Sequence, residues 1–278
     1  MKPHRDWFRS IAKWPAATFA AAILAAGVPA LATAASVTQC TALNICYCVN
    51  SDYADAITEN VARVRQLIAE AKAQGKSVGY LSIPLSGSGG GSFSVNKELS
   101  ARIAKSVTAR FGEKSVWMLD PGAEAGNKMD GKATGADYMY MWTQILEGRG
   151  LGEDFDFFYF VGPTDFATAL GLTGQGDLDR LEALFDERVA ANPAFKKEVD
   201  EGKVNKAGFR RYYGLRASVA FSKGSHDEWN IARLINERRR GTANQDIANQ
   251  LSVLFDGKPV PPSGYESPTA AGYVGRCL

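Results

Sequence analysis

Three short, nearly continuous apolar runs constrain this chain most: Val78-Gly-Tyr-Leu-Ser-Ile-Pro-Leu85, Ser115-Val-Trp-Met-Leu119 and Phe155-Asp-Phe-Phe-Tyr-Phe-Val161. Runs of this length that do not alternate with polar residues suit parallel strands covered on both faces. Between them lie segments of helical periodicity. From Ser51 or Asp52, either of which can cap, to Gln74, a helix is expected with Ile57, Val61, Val64, Ile68 and Ala71 on one stripe and Gly75 as its stop. Asn96–Arg110 carries Leu99, Ile103, Ala104 and Val107 at the same spacing, and Ala136–Gly148 carries Tyr138, Met141, Trp142 and Ile145 as core residues. Strands alternating with helices predict an α/β fold with a mostly parallel sheet of about five strands and helices on both faces. The fourth strand is expected at Arg216–Phe221 and a fifth, at the sheet edge, at Leu251–Phe255. A mostly helical insertion is expected over residues 166–214.

The first 34 residues read as a targeting signal. Lys2, Arg5, Arg9 and Lys13 form a basic region, Trp14 to Leu31 is largely apolar, and Ala32-Thr-Ala34 offers a small-residue cleavage site. Pro15 and Pro29 interrupt an apolar run that is already short for a bilayer, so a retained anchor is disfavoured. Without this segment Lys+Arg falls from 32 to 28 and Asp+Glu from 30 to 29, and the formal charge moves from +2 to −1. The basic excess belongs to the signal, and nucleic-acid binding is not expected. Residues 35–278 are long enough for a single α/β domain, with an irregular Pro-, Gly- and Ser-rich tail from Asp256, in a periplasmic or secreted protein free of membrane attachment.

Cys40, Cys46, Cys48 and Cys277 all fall in that region. An even count in an exported protein argues for two disulfides, with three pairings open and a Cys46–Cys48 bridge disfavoured by proximity. Joining Cys277 to one of the N-terminal cysteines would tie the chain ends together. A metal site is the alternative, but Cys-Tyr-Cys with one remaining His lacks zinc spacing, and neither a metal nor a cofactor is expected.

Ligands of open parallel sheets bind outside the carboxyl ends of the strands. That rim would gather the loop Ser86-Gly-Ser-Gly-Gly-Gly-Ser92, Asp120, Asp165, His226, Asp227 and Glu228. Gly87, Gly89, Gly90, Gly91 and Ser92 lead into a helix, and such a loop can aim backbone N–H groups at an anionic or sugar-phosphate ligand. No Lys follows them, so the P-loop pattern fails. Glu228, expected at the start of a helix after a strand, is the sharpest catalytic candidate, with Asp165 and Asp120 holding hydroxyls. The alternative is that Asp227 and Glu228 complement a helix N-terminus electrostatically. His226 would serve a serine hydrolase using Ser86, Ser88 or Ser92, but no Gly-x-Ser-x-Gly elbow is present. Arg238, Arg239 and Arg240 suit a helix C-terminus.

The strand Gly79-Tyr-Leu-Ser-Ile-Pro84 resembles the opening strand of the nucleoside 2-deoxyribosyltransferase-like group. Asp156, ahead of Phe157–Val161, is similar to an Asp preceding a strand of that group, and Glu228-Trp-Asn-Ile-Ala232 is similar to its nucleophile segment, with Asn230 where a Gly is usual. Thr164-Asp-Phe-Ala-Thr-Ala-Leu170 departs from the group, offering Asp165 and no Glu. The resemblance implies a three-layer flavodoxin-like sandwich and cleavage or transfer of N-glycosidic bonds through a carboxylate. A nucleoside or nucleotide-like small molecule is then the expected ligand. The alternative is a non-enzymatic exported module that binds a ligand or a protein partner.

Overall fold

The computed structural model describes residues 35–278 except 125–128, 130–131, 216–221 and 242–248. The targeting segment and the strand expected at Arg216–Phe221 therefore lie outside the described residues, as does part of the 123–135 loop.

Periodicity alone did not reveal the first element, an antiparallel hairpin of β1 (Ser36–Cys40) and β2 (Cys46–Asn50). Cys40 stands opposite Cys46 and is bonded to it, and Cys48 is bonded to Cys277. The next elements are α1 (Ala54–Ala73), β3 (Ser77–Ser82), α2 (Phe93–Phe111), β4 (Val116–Leu119), the single turn α3 (Pro121–Glu124) and α4 (Gly135–Glu147). After these come β5 (Phe157–Phe160), α5 (Pro163–Leu170), α6 (Asp177–Ala191), α7 (Pro193–Asp200), α8 (Lys206–Gly214) and α9 (Lys223–Gly241). The chain closes with β6 (Ser252–Phe255), β7 (Lys258–Pro259) and the turn α10 (Pro262–Tyr265).

Residue chemistry accounts for the boundaries. Asn50, not Ser51 or Asp52, supplies the capping oxygen ahead of α1, accepting from the Asp52 N–H. Ser92 caps α2 by accepting from the Val95 N–H, which starts that helix three residues earlier than expected. Thr134 and Asp137 form a reciprocal capping box on α4. Ser222 accepts from the Ser225 N–H, so α9 begins at Lys223 and the expected loop to Asp227 is helical.

The main sheet has the order β4-β3-β5-β6-β7, with the first four strands parallel. β6 is internal, correcting its expected edge position. The edge is β7, turned back antiparallel through Asp256 and Gly257, both at positive φ as a two-residue hairpin turn requires. Helices α1, α4 and α9 bury Val78, Tyr80, Phe158 and Phe160 on one face of the sheet. The other face buries Leu81, Met118, Tyr159 and Val161 under α2, α5 and the helical insertion. Within the insertion Phe185, Phe195, Phe209 and Tyr213 pack edge to face or tilted, with ring centroids 4.5 to 5.6 Å apart. Full burial of each such ring contributes about 1.5–3 kcal/mol.

Two acidic residues of α4 hold the hairpin on this frame. The Ala42 and Leu43 N–H groups donate to the two oxygens of Glu147, and the Asn50 N–H donates to Asp137. The triple-arginine end of α9 also binds backbone: Arg238 donates to the Ala42 carbonyl, and Arg239 to those of Leu151, Gly152 and Asn249. No described helix is long and apolar enough to cross a membrane.

Candidate functional site

The sheet reverses its winding at β3, whose neighbours are β4 on one side and β5 on the other. Open α/β sheets take ligands outside the carboxyl ends of the strands that flank such a reversal, here β3 and β5. α9 runs antiparallel to the strands above it. Its Glu228 reaches Tyr80 and Ser82 toward the end of β3, while its Asn236, two turns on, exchanges hydrogen bonds with Leu251 just before β6 begins. The first turns of α9 therefore stand at the carboxyl end of the sheet.

Glu228 is 6% exposed. The Tyr80 hydroxyl donates to its Oε1 at 2.6 Å and the Ser82 hydroxyl to its Oε2 at 2.5 Å. Burial pushes the carboxyl up to about 7, against the pull of the Ser82 and Tyr80 hydroxyls, and the charge of Asp227 adds to the rise. Tyr80 is fixed by Trp142, Phe155 and Phe158, whose centroids lie 5.5 to 6.1 Å from its own. Burial and then the Glu228 charge hold its phenol well above the ordinary value. A carboxyl that titrates near neutrality between two hydroxyl donors can take up or release a proton, or face a developing positive charge.

The other candidates divide between the two faces. Asp120, at the end of β4, accepts from the Ser100 hydroxyl of α2 and from the Gly122 N–H, capping α3. Its charge is felt at the Tyr80 hydroxyl, which places it on the same rim as Glu228. Asp165 belongs to the opposite face. It accepts from the Tyr159 hydroxyl at 3.0 Å and from the Gly162 N–H, while Arg110 donates to Tyr159. Burial raises the Asp165 carboxyl. Asp165 and Glu228 thus do not share one site.

Asp227 and His226 hold the C-terminal tail. The Gly272 and Tyr273 N–H groups donate to Asp227 at 2.7 Å each, and Thr269 donates to the His226 carbonyl. Ser92 caps α2 and donates its hydroxyl to Glu198, so of the three candidate serines this one is engaged away from His226. Asp156 sits at the far end of the sheet from Glu228, accepting from the Val78 N–H.

The glycine loop is occupied from within. The N–H groups of Phe93 and Ser94 and the Ser92 hydroxyl all donate to Glu198 of α7, a carboxylate placed where a ligand's anion would sit. A Cβ on Gly90, at φ +107°, would lie 2.7 Å from the Gly208 carbonyl oxygen, and one on Gly91 would lie 2.8 Å from the Tyr212 ring. Gly89 also faces Tyr212. Gly87 accepts from the Gly90 N–H and closes the turn. These glycines let the loop approach α8, and the expected cradle for a sugar-phosphate becomes a packing contact.

Sequence reasoning missed Tyr80, Ser82 and Glu198. Their partners lie 148, 146 and about 100 residues away, beyond any local pattern. The one available signal was two hydroxyls at alternate positions, hence on one face, near the end of an otherwise apolar strand. Comparison of the chain with known protein families, with curated protein sequences and with solved structures returns no match.

Proposed function

We propose that this is an exported enzyme that hydrolyses or transfers the N-glycosidic bond of a nucleoside-like ligand at Glu228. The observation that carries the reading is the Glu228 carboxylate itself, buried at the winding reversal of the sheet and held by Tyr80 and Ser82. Further support comes from the parallel order β4-β3-β5-β6, which is that of flavodoxin-like sandwiches. Two disulfides suit an oxidising compartment, consistent with export.

In this reading the C–N bond breaks with its electron pair passing to the base nitrogen, and the sugar carbon gains oxocarbenium character beside the Glu228 carboxylate. A water, or a second base in transfer, adds to that carbon and yields its proton to Glu228. The departing base takes up a proton from solvent, to which Glu228 later returns the one it accepted. Asp120 holds hydroxyls on the same rim, and Asp165 has no part.

A second reading, a non-enzymatic binding module, is favoured by one observation: both oxygens of Glu228 already accept hydrogen bonds within the protein. The two readings separate when the disulfide-bonded protein is incubated with nucleosides and NAD and free base is measured by chromatography. Base release that disappears in folded Glu228→Gln supports the enzyme. No release across the panel, or equal release by the Gln variant, supports the binding module or removes Glu228 from the mechanism.

A further inference from the structure

The outer edge of β1 carries backbone groups that no described residue satisfies. The Ser51 N–H donates to the Ala35 carbonyl and the Thr41 N–H to that of Ile45, and between these pairs Val37 faces Val49 and Gln39 faces Tyr47. Hydrogen-bonded pairs alternate along an antiparallel ladder, so Val37 and Gln39 turn their backbone to β2 while Ser36, Thr38 and Cys40 turn theirs away. The Cα atoms of Cys40 and Cys46 stand 4.0 Å apart, as in a pair without mutual ladder bonds. On β2 outward groups are taken up: the Asn50 N–H donates to Asp137, and the Cys46 carbonyl accepts from the Gly275 N–H.

Proteins blunt sheet edges with charge, with proline or by covering them. The edge strand β7 is Lys258-Pro259. β1 instead reads Ser-Val-Thr-Gln-Cys, without charge or proline, and is exposed at every residue but Val37. Beside it lies a space of matching kind. Val37 and Gln39 line a cavity of about 160 Å³ together with Ile57 and Thr58 of α1 and Tyr140 and Gln144 of α4, and none of its lining residues is charged. A cavity of about 150 Å³ holds benzene, so this one has room for an apolar side chain. In a strand added to β1, every second side chain would fall on the face of Val37 and Gln39, toward that cavity.

Charge selects the occupant. Asp52 and Asp55, at the start of α1, are exposed, and neither carboxylate has a cationic partner among the described residues. Asp55 precedes Thr58 by three positions, so the two share a helix face. Arg65, two turns beyond Thr58, is engaged by the carbonyls of Gln144 and Gly148. A second copy of β1 brings no cation to these carboxylates. We propose that the outer edge of β1 docks an extended segment of a partner protein, paired antiparallel, with an apolar side chain in the cavity and a Lys or Arg two positions away against Asp52 and Asp55. This surface is separate from Glu228 and serves whatever reaction that residue performs.

The test follows backbone amide exchange in the disulfide-bonded protein by proton–nitrogen correlation spectra. In the free protein the Ser36, Thr38 and Cys40 amides are expected to exchange at least about tenfold faster than those of Val37 and Gln39. The probes are capped peptides Thr-Lys-Thr-Z-Thr-Lys-Thr, with Z as Val, Leu, Ile, Phe or Tyr, which place Z and both lysines on one face of a strand. At least one is expected to slow the three outward amides saturably. Exchanging its lysines for glutamates should weaken it about threefold or more, and Asp55→Lys should reverse that preference. Methylating its internal threonine nitrogens, which face β1 in an antiparallel pair, should abolish the protection. Outward amides already protected in the free protein at every concentration overturn the proposal in favour of a segment of this chain. Protection that grows with protein concentration alone overturns it in favour of a second copy. No protection by any peptide, or protection indifferent to charge and to methylation, overturns it outright.

Discussion

Glu228 imposes a pH dependence that Glu228→Gln removes. Its carboxyl titrates at about 7 in the folded protein against an ordinary value of 4.5. A carboxyl whose folded pKa lies above its unfolded value binds a proton more tightly in the native state. Its stabilising contribution is therefore complete below about pH 4.5 and is lost as pH rises through about 7. At 1.36 kcal/mol per pKa unit the loss is about 3 kcal/mol. Gln has nearly the same shape and does not titrate, and the Tyr80 and Ser82 hydroxyls can donate to its oxygen or accept from its nitrogen. Relative to the parent, the Gln variant should therefore gain about 3 kcal/mol between pH 4.5 and pH 8. For a chain of this length that is a relative rise in melting temperature of about 6–12 °C. Asp165 and Asp227 are also raised by burial and push the parent in the same direction, but they are common to both proteins and cancel in the difference. Reversible urea unfolding at half-unit pH intervals measures it. A parent-minus-variant difference that is flat with pH, or that moves in the opposite sense, would refute the argument and mean that the hydroxyls keep Glu228 ionised in its buried position.

Replacing Glu198 by Gln should cost about 1–3 kcal/mol in urea unfolding, because the N–H groups that open α2 lose a charged acceptor; an unchanged midpoint would show that the carboxylate does not anchor the insertion. Cys277→Ser removes a crosslink between residues 229 positions apart and should cost up to about 5 kcal/mol by the loop-entropy argument, read from the same unfolding curves. A loss under about 1 kcal/mol would mean that the tail is held by its hydrogen bonds alone.

Where a residue's role is set by its near neighbours, the sequence revealed it. The stripe Ile57, Val61, Val64, Ile68 and Ala71 is buried as periodicity required, and the apolar runs at 78, 115 and 155 became the parallel strands β3, β4 and β5. The hairpin carries little apolar pattern, because β1 is almost wholly exposed and β2 buries only two residues. Yet Tyr47 and Val49 are buried while Cys46 and Cys48 are not, a period-two alternation over four residues. Glu228 was singled out on the premise that it began a helix, whereas it lies in the second turn, where its side chain drops toward β3 instead of capping. The misreading of the glycine loop has a different cause. A strand, a glycine run and a helix generate free N–H groups whatever fills them, and only the fold reveals that Glu198 does.

The tail fixes an order of assembly. Asp227 receives its two donors from Gly272 and Tyr273, and Cys48 receives its sulfur partner from Cys277. In a chain synthesised from residue 1 onward, every strand of the sheet and the whole of α9 exist before any of these three residues does. The first turns of α9, which carry Glu228, thus remain unlatched until residues 272–277 have been made. One short segment then supplies the hydrogen bonds and the covalent bond together. Loss of residues 272–277 would leave the α/β body with a buried Asp227 carboxyl deprived of its two donors and an unpaired Cys48 thiol, so one short segment satisfies both a buried charge and a reactive sulfur.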